Sequence, residues 1–177
     1  CAAISALSAS PLPTDRFQFV GFLPRSASDL KAALAEAYRS LRTALQFSTS
    51  RGAPRTLAIT SCAKAEGKST SAFAIALALA QLGKRVLLID GDMRNPSLHK
   101  LLGQDHAVGL SNLLSSAADP LAITRRTPHK GLFFISAGPL PPNPAELLSG
   151  QNLATLLGPQ NSTFDHIVID APPVLGI

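Results

Sequence analysis

Residues 56–70 read TLAITSCAKAEGKST, an apolar run followed by a loop that ends in G-K-S at positions 67–69. A complete phosphate-binding loop reads G-x-x-x-x-G-K-[ST], and its first glycine would fall at Cys62. In such a loop successive backbone N–H groups point at phosphates, and a helix N-terminus follows. Because strand, loop and helix stand in the required order, the stretch predicts a nucleotide site. The alternative is an ordinary strand–helix turn with a solvated lysine.

Apolar strands alternate with helices along the rest of the chain. After the loop, TSAFAIALALAQLG is apolar on almost every side, which predicts a buried helix closed by Gly83 at its C′ position. Short apolar runs predict four buried strands, at 56–60, 85–90, 131–136 and a last one ending at Asp170. The segments 96–103, 109–116, 143–150 and 151–158 have helical patterns. This order predicts an α/β fold, a doubly wound and mostly parallel sheet with helices on both faces.

A longer amphipathic helix is predicted at 28–48, before the first strand, with Ser28 as its N-cap. Leucines recur at helical spacing along it, at Leu30, Leu34, Leu41 and Leu45. At 100° per residue, Glu36, Arg39 and Arg42 fall on the opposite side. Without further information these three residues are a solvated stripe with intrahelical pairing at i,i+3.

Size and composition restrict the class of protein. The 177 residues suffice for one domain, and an apolar fraction of 46% argues against wholesale disorder. Two cysteines without metal-ligand spacing argue against a disulfide framework or a structural zinc site. The net charge of +5 favours anionic partners, but no Trp and one Tyr make base stacking on nucleic acid improbable. The sequence contains no apolar run of about 18 residues, so it predicts no membrane span.

These patterns divide the chain into an irregular lead-in, residues 1–27, with a possible short strand at 17–23, and one nucleotide-binding domain, residues 28–177. Such a fold normally continues beyond the fourth strand. We therefore expect the chain to be truncated at its C-terminus, with further strands and helices missing.

Carboxylates stand at the ends of two predicted strands. LLIDGDMR, residues 87–94, carries Asp90 and Asp92, and IVIDAPP, residues 167–173, carries Asp170. Ligands of doubly wound sheets bind at the carboxyl ends of the strands. An Asp at the end of an apolar strand is a common second anchor for the Mg²⁺ of phosphate-loop enzymes. Either motif alone is also what a capped strand end looks like, but the three elements together favour a nucleotide site.

The combination resembles the bacterial tyrosine kinases (BY-kinases), the cytoplasmic ATPase domains of polysaccharide co-polymerases. The two aspartate segments fit the paired motifs of that family, and EAYRSLRTAL matches its E-x-x-R-x-x-R motif at Glu36, Arg39 and Arg42. PPNPAELL, residues 141–148, is similar to the segment between its third and fourth strands. The resemblance covers about residues 18–177 and implies a P-loop NTPase fold.

The resemblance implies an ATP-dependent protein-tyrosine (auto)kinase that controls exopolysaccharide or capsule polymerisation and export. It implies ATP and Mg²⁺ as cofactors, with phosphates on Ala63, Lys64, Ala65, Glu66, Gly67, Lys68, Ser69 and Thr70. Metal ligation would fall to Ser69, Asp90 and Asp170, and catalysis to Lys68, Asp90 and Asp92. We favour Asp90 as the catalytic carboxylate, because it stands at the end of a buried strand facing the crevice.

The resemblance also implies partners and a location. Glu36, Arg39 and Arg42 would dock on a neighbouring subunit and build a ring, and a tyrosine-rich tail, absent here, would be phosphorylated in trans. A transmembrane adaptor, fused or separate, would hold the domain at the cytoplasmic face of the plasma membrane. No nucleic acid is expected. The sole tyrosine, Tyr38, lies within the helix motif and is interpreted as a packing or interface residue.

The chain departs from the family in its phosphate loop. Members carry Pro-Gly-Glu-Gly, whereas this chain has Lys64-Ala65-Glu66-Gly67, so Ala65 replaces a glycine where the loop can require φ > 0. Two alternatives stay open: a partition or septum-positioning ATPase that acts as a binding switch, and a catalytically weak ring-assembly module. Lys64 lies one residue away from the extra lysine of the partition ATPases, which argues against the former.

Overall fold

The structure is a computed structural model that describes residues 27–50, 52–116, 119–158 and 162–174. The predicted strand at 17–23 and the lead-in as far as residue 26 lie outside the described residues. The boundary of the predicted domain at residue 28 therefore stays a prediction.

Five strands form one sheet in the order β1-β5-β2-β4-β3. The bounds are β1 Thr56–Ile59, β2 Val86–Asp90, β3 Arg125–Arg126, β4 Leu132–Ile135 and β5 His166–Asp170. Strands β1, β5, β2 and β4 are parallel, and β3 pairs antiparallel with β4. The four predicted strands are therefore confirmed, and β3 is an addition that the sequence pattern does not predict.

Helices cover both faces of this sheet. Their bounds are α1 Ala27–Gln46, α2 Lys68–Ala80, α3 Leu98–Leu102, α4 Leu110–Ser116, α5 Pro120–Ile123, α6 Pro144–Ser149 and α7 Gln151–Leu157. Successive strand residues face opposite sides. Leu88 accordingly joins the core under α1, α2 and α3, while Leu87 joins the core under the remaining helices. The doubly wound arrangement is confirmed.

The register of the strands sets two aspartates side by side. Asp170, the last residue of β5, pairs with Ile59 of β1 on one side and with Asp90 of β2 on the other. The chain leaves β2 through Gly91, whose N–H donates to the Asp170 carbonyl at 2.9 Å. A Cβ on Gly91 would lie 3.0 Å from that oxygen, so a larger residue would push the two strand ends apart.

Local details differ from the sequence pattern. Strand β1 lies at an edge of the described sheet, where Ile59 is buried but Thr56 and Ala58 are exposed, so the prediction of a buried strand is wrong for most of it. Helix α1 begins at Ala27, which puts Ser28 inside the helix instead of at its N-cap. Helix α2 ends at Ala80, with Gln81 as C-cap.

Helix α1 packs against α2 through one side of its surface. Tyr38, Leu41 and Leu45 contact the core, and the Tyr38 hydroxyl lies 2.9 Å from Ser71 Oγ at the start of α2. Leu34 is 48% exposed, whereas Leu41 and Leu45 are partly buried, so the leucine stripe is not buried along its whole length. Tyr38 is thus a packing residue, as the sequence analysis predicts.

Among the residues that the structure describes, none of the helices has the length and apolar character needed to cross a membrane.

Candidate functional site

The phosphate loop runs from the end of β1 to the start of α2. Gly67 is the N-cap of α2 with φ 80°, and its carbonyl accepts the first helical bond, from Ser71 N–H at 2.9 Å. Ala65 has φ 62°, and it is the one described residue other than glycine with positive φ. This conformation costs an L-residue roughly 1–2 kcal/mol, so the loop carries the strain that the missing glycine predicts.

The start of the loop, where the first glycine is missing, makes internal hydrogen bonds. At that position Cys62 donates its backbone N–H to Glu66 Oε2 at 3.0 Å. The Ser61 hydroxyl donates to the Ala63 carbonyl at 2.7 Å. The start of the loop is therefore closed by its own hydrogen bonds, while Lys64, Ala65 and residues 67–70 line a cleft.

Lys68 is the charged centre of the site and is almost fully buried. Its Nζ lies 2.9 Å from Asp92 Oδ2 and 3.1 Å from Asp170 Oδ1. Burial alone would lower the pKa of Lys68, but the two carboxylates outweigh it and raise this pKa above its ordinary value. The lysine is therefore a cation that two strand-end aspartates hold in place.

Asp90 lies beneath the site. It is 0% exposed, and its Oδ2 accepts the backbone N–H groups of Ser97 and Leu98, each at 3.1 Å. Burial, together with the neighbouring Asp170 carboxylate, raises the pKa of Asp90 to about 7, against the effect of those two N–H donors. The expectation that Asp90 faces the crevice is wrong, because α3 covers it; Asp92 is the aspartate that lines the cleft.

The oxygen atoms at this edge suit a hard cation. One oxygen of each buried aspartate, Asp90 Oδ1 and Asp170 Oδ2, has no hydrogen-bond partner. Burial raises the pKa of Asp170, although the Ser69 hydroxyl and the Lys68 ammonium oppose the shift. Buried carboxylate oxygens without partners, beside a hydroxyl, are the donor set that Mg²⁺ prefers. The residues present therefore fit a magnesium ion held by Ser69, Asp90 and Asp170.

Two clefts open at this edge of the sheet and share part of their walls. The first has a volume of about 380 Å³ and is lined by the phosphate loop and by Asp92, Asn95, Ser97 and Pro173. The second, about 390 Å³, has mostly apolar walls with Arg94 at its side. Its apolar lining comprises Met93, Pro144, Ala145, Leu148, Pro172 and Pro173. Lys64, Asp92, Asn95 and Pro173 line both clefts.

Most of the predicted phosphate-binding residues come together at the first cleft. Lys64, Ala65, Gly67, Lys68, Ser69 and Thr70 line it, whereas Ala63 and Glu66 do not, because they close the start of the loop. The sequence analysis missed Asn95, Ser97 and Pro173. Ser97 carried a signal, its place before a short helix, but that signal indicates an N-cap and not a site.

The predicted interface residues lie on α1, outside the residues that line the clefts. Glu36 and Arg39 are exposed and form an i,i+3 ion pair at 2.7 Å. Arg42 is half-buried instead, and its Nη1 reaches the Ala78 carbonyl of α2 at 3.4 Å. The prediction that all three face away from the packed side is wrong for Arg42. A spacing of three residues advances 300° round a helix, 60° short of a full turn. From Glu36 to Arg39 to Arg42 the side chains therefore shift by 60° each time, and Arg42 reaches the neighbouring helix.

Strand, phosphate loop and helix, with aspartates at the ends of adjacent parallel strands, define a nucleotide-binding domain of the P-loop NTPase type. The AAA domain family matches residues 55–177. The tyrosine-protein kinase YwqD of Bacillus subtilis is 36% identical over 147 residues, which are 83% of this chain and 62% of that protein. The chain belongs to the family of bacterial tyrosine kinases, as its motifs predict.

Solved structures of a tyrosine kinase and of another enzyme share this fold. The kinase domain of the Escherichia coli tyrosine kinase ETK superposes with a TM-score of 0.78 at 30% identity, covering 92% of this chain and 63% of that one. A cobyrinic acid a,c-diamide synthase from Mycobacterium smegmatis with bound ADP and magnesium has a TM-score of 0.59 at 31% identity, covering 67% of this chain and 51% of that one. The chain thus spans less than two thirds of these proteins.

Proposed function

We propose that this chain is the catalytic part of an ATP-dependent protein-tyrosine (auto)kinase that controls exopolysaccharide or capsule polymerisation and export. The observation that carries the proposal is the pair of adjoining clefts that share Asp92. An ATPase that only switches needs one cleft, for the nucleotide. A kinase also needs space beside the terminal phosphate for the acceptor side chain, and the apolar second cleft offers it.

The phosphate loop would hold the ATP phosphates in the first cleft. Lys68, which is buried beside Asp92 and Asp170, would contact the β- and γ-phosphates, and Lys64 would add a second ammonium at the rim. Ser69, Asp90 and Asp170 would hold Mg²⁺, which would neutralise charge on the ATP phosphates. Because burial keeps these donors in place, they need little rearrangement when charge develops in the transition state.

The second cleft would receive the acceptor tyrosine ring against its apolar walls. The tyrosine oxygen attacks the γ-phosphorus, the bond to the oxygen bridging the β- and γ-phosphates breaks, and ADP leaves with that electron pair. Asp92 lines both clefts, so it is the carboxylate best situated to accept the phenolic proton. We assign this role to Asp92 in place of Asp90, because Asp90 is covered by α3.

Assembly and location form part of the proposal. Glu36 and Arg39 are exposed on α1, where a guanidinium can hold a carboxylate of a neighbouring subunit through two parallel bonds. A head-to-tail contact of this kind closes into a ring if the rotation allows. We propose that a transmembrane co-polymerase adaptor, fused or separate, keeps such a ring at the cytoplasmic face of the plasma membrane, where a tyrosine-rich tail is phosphorylated in trans.

The test is incubation of the full-length protein with Mg·ATP, followed by detection of phosphotyrosine and of free phosphate. We expect phosphotyrosine in the wild type. Lys68→Met should weaken ADP binding about tenfold or more, because it removes the ammonium that contacts the phosphates. Asp92→Asn should still bind ADP but slow phosphoryl transfer about 10²-fold or more. Lys130→Met, an exposed lysine in the turn before β4, is the matched control and should behave as wild type.

The two alternatives predict different outcomes. ATP hydrolysis without any phosphotyrosine would contradict the kinase assignment and favour a partition-type switch. ADP binding without hydrolysis or phosphotyrosine would instead indicate a ring-assembly module. Equal ADP affinity of Lys68→Met and wild type would refute the nucleotide site itself.

A further inference from the structure

Ser97 occupies the N-cap of α3 but does not cap it. Serine is among the preferred residues at this position, where its oxygen normally accepts an N–H bond from the first turn of the helix. In this structure the Ser97 side chain makes no such bond. Its hydroxyl instead donates to Ser69 Oγ at 2.8 Å, a contact between residues 28 positions apart. The Ser97 hydroxyl is therefore hydrogen-bonded to the phosphate loop and not to its own helix.

The backbone of the same residue holds a second part of the site. The N–H groups of Ser97 and Leu98 both donate to Asp90 Oδ2 at 3.1 Å. One residue thus contacts Ser69 through its side chain and Asp90 through its main chain. These are two of the three residues whose oxygens fit a magnesium ion, and they come from different elements, α2 and the end of β2.

The hydrogen-bond chemistry of the two hydroxyls gives this contact a direction. A serine oxygen has two lone pairs and one proton. When Ser97 donates, it occupies one lone pair of Ser69 Oγ. The Lys68 ammonium lies 3.4 Å from the same oxygen, a long contact that engages the other lone pair only weakly, so this lone pair can still face a cation while the Ser97 bond limits rotation of the hydroxyl.

We propose that Ser97 is a positioning residue of the magnesium site: its hydroxyl orients Ser69 Oγ as a ligand while its N–H fixes Asp90. Ser97 also lines the first cleft, so it lies where a nucleotide-bound cation would be held. Partners that orient a metal ligand in this way control metal affinity more than they control the fold. The inference rests on the proposed function in one respect, that the protein binds Mg²⁺ together with a nucleotide.

Calorimetric titration of the full-length protein with ADP, once with Mg²⁺ and once with EDTA, tests this role without measuring catalysis. We expect Mg²⁺ to strengthen ADP binding to the wild type. Ser97→Ala keeps both N–H bonds to Asp90 and removes the hydroxyl, so it should reduce the Mg²⁺-dependent gain by about threefold to tenfold. ADP affinity in EDTA should stay within about twofold of wild type, because no phosphate contact is lost.

Two variants separate positioning from stability. Ser97→Thr restores the hydroxyl and should recover most of the Mg²⁺-dependent gain. Ser116→Ala, which removes an exposed hydroxyl from α4, should leave both titrations unchanged. An equal loss of affinity with and without Mg²⁺ in Ser97→Ala, or no loss at all, would overturn the inference. A wild type that binds no ADP with Mg²⁺ would overturn the proposed function, and this inference with it.

Discussion

Replacing Asp90 by asparagine should make the protein more stable at about pH 8, although it removes a predicted metal ligand. Asp90 is fully buried, and burial beside the Asp170 carboxylate raises its pKa from 3.8 to about 7. Asparagine keeps the shape of the side chain and an oxygen for the N–H groups of Ser97 and Leu98. It therefore removes the charge without leaving those donors unsatisfied.

The size of the effect can be worked out from proton linkage. Between the ordinary pKa of 3.8 and the folded value of about 7, the native protein holds a proton on Asp90 that the unfolded chain releases. Stability of the wild type is therefore lost as the pH rises through this window. A shift of roughly three units corresponds to a ceiling of roughly 4 kcal/mol above the folded pKa. In a chain of this length that is a Tm difference on the order of 10 °C.

The assay is urea or thermal unfolding of wild type and Asp90→Asn in EDTA, at about pH 5 and about pH 8. The variant should gain about 2–4 kcal/mol at about pH 8 but only about a third of that at about pH 5, because pH 5 lies only roughly one unit above the unfolded pKa, within a window of roughly three units. Asp119→Asn is the matched control, because its exposed carboxylate also accepts a backbone N–H, from Leu121 at 2.9 Å. A variant that is no more stable than wild type at about pH 8, or a gain of the same size at both pH values, would refute the reasoning.

Three further substitutions test the phosphate loop and the helix α1. Ala65→Gly should raise the free energy of unfolding by roughly 1 kcal/mol or less, since glycine adopts φ 62° at lower cost; a loss of stability in urea unfolding would show that chain entropy dominates. Arg39→Ala should dissociate the proposed ring with an unchanged Tm. Arg42→Ala should also lower the Tm, because it removes the hydrogen bond from Arg42 to the Ala78 carbonyl. Light scattering, with Arg126→Ala as control, decides this, and an undiminished ring in Arg39→Ala contradicts the proposed interface.

The elements that the sequence predicts well are those whose pattern is strong by itself. The apolar runs of β2, β4 and β5 need no context, because strands covered on both faces are apolar at every position. Strand β3 is only Arg125–Arg126, and its pairing comes from Phe133 and Phe134 opposite it. Two charged residues carry no strand signal of their own, so tertiary pairing alone creates this element.

The sequence predicts which aspartates belong to the site better than it predicts which of them is covered by other elements. Sequence order places Asp90, Asp92 and Asp170 at one edge of a parallel sheet, and the register indeed pairs Asp90 with Asp170. Which aspartate faces the cleft depends on the path of the chain after β2, and no motif describes the turn that brings α3 over Asp90. The expectation that Asp90 faces the crevice is wrong for this reason, because strand alternation predicts which face of the sheet a residue lies on but not which element covers it; the catalytic role of Asp90 stays a prediction.

Ser97 shows how one turn of the chain links the buried Asp90 with Ser69 of the phosphate loop. Asp90 shares its face of the sheet with Val86 and Leu88, the face on which α2 and α3 pack. The start of α3 must therefore pass over Asp90, and its N–H groups are the donors that such a buried carboxylate requires. The same turn brings the Ser97 hydroxyl to the first turn of α2, beside Ser69. The position of α3 thus determines which aspartate it covers, and it brings the Ser97 hydroxyl within 2.8 Å of Ser69 Oγ.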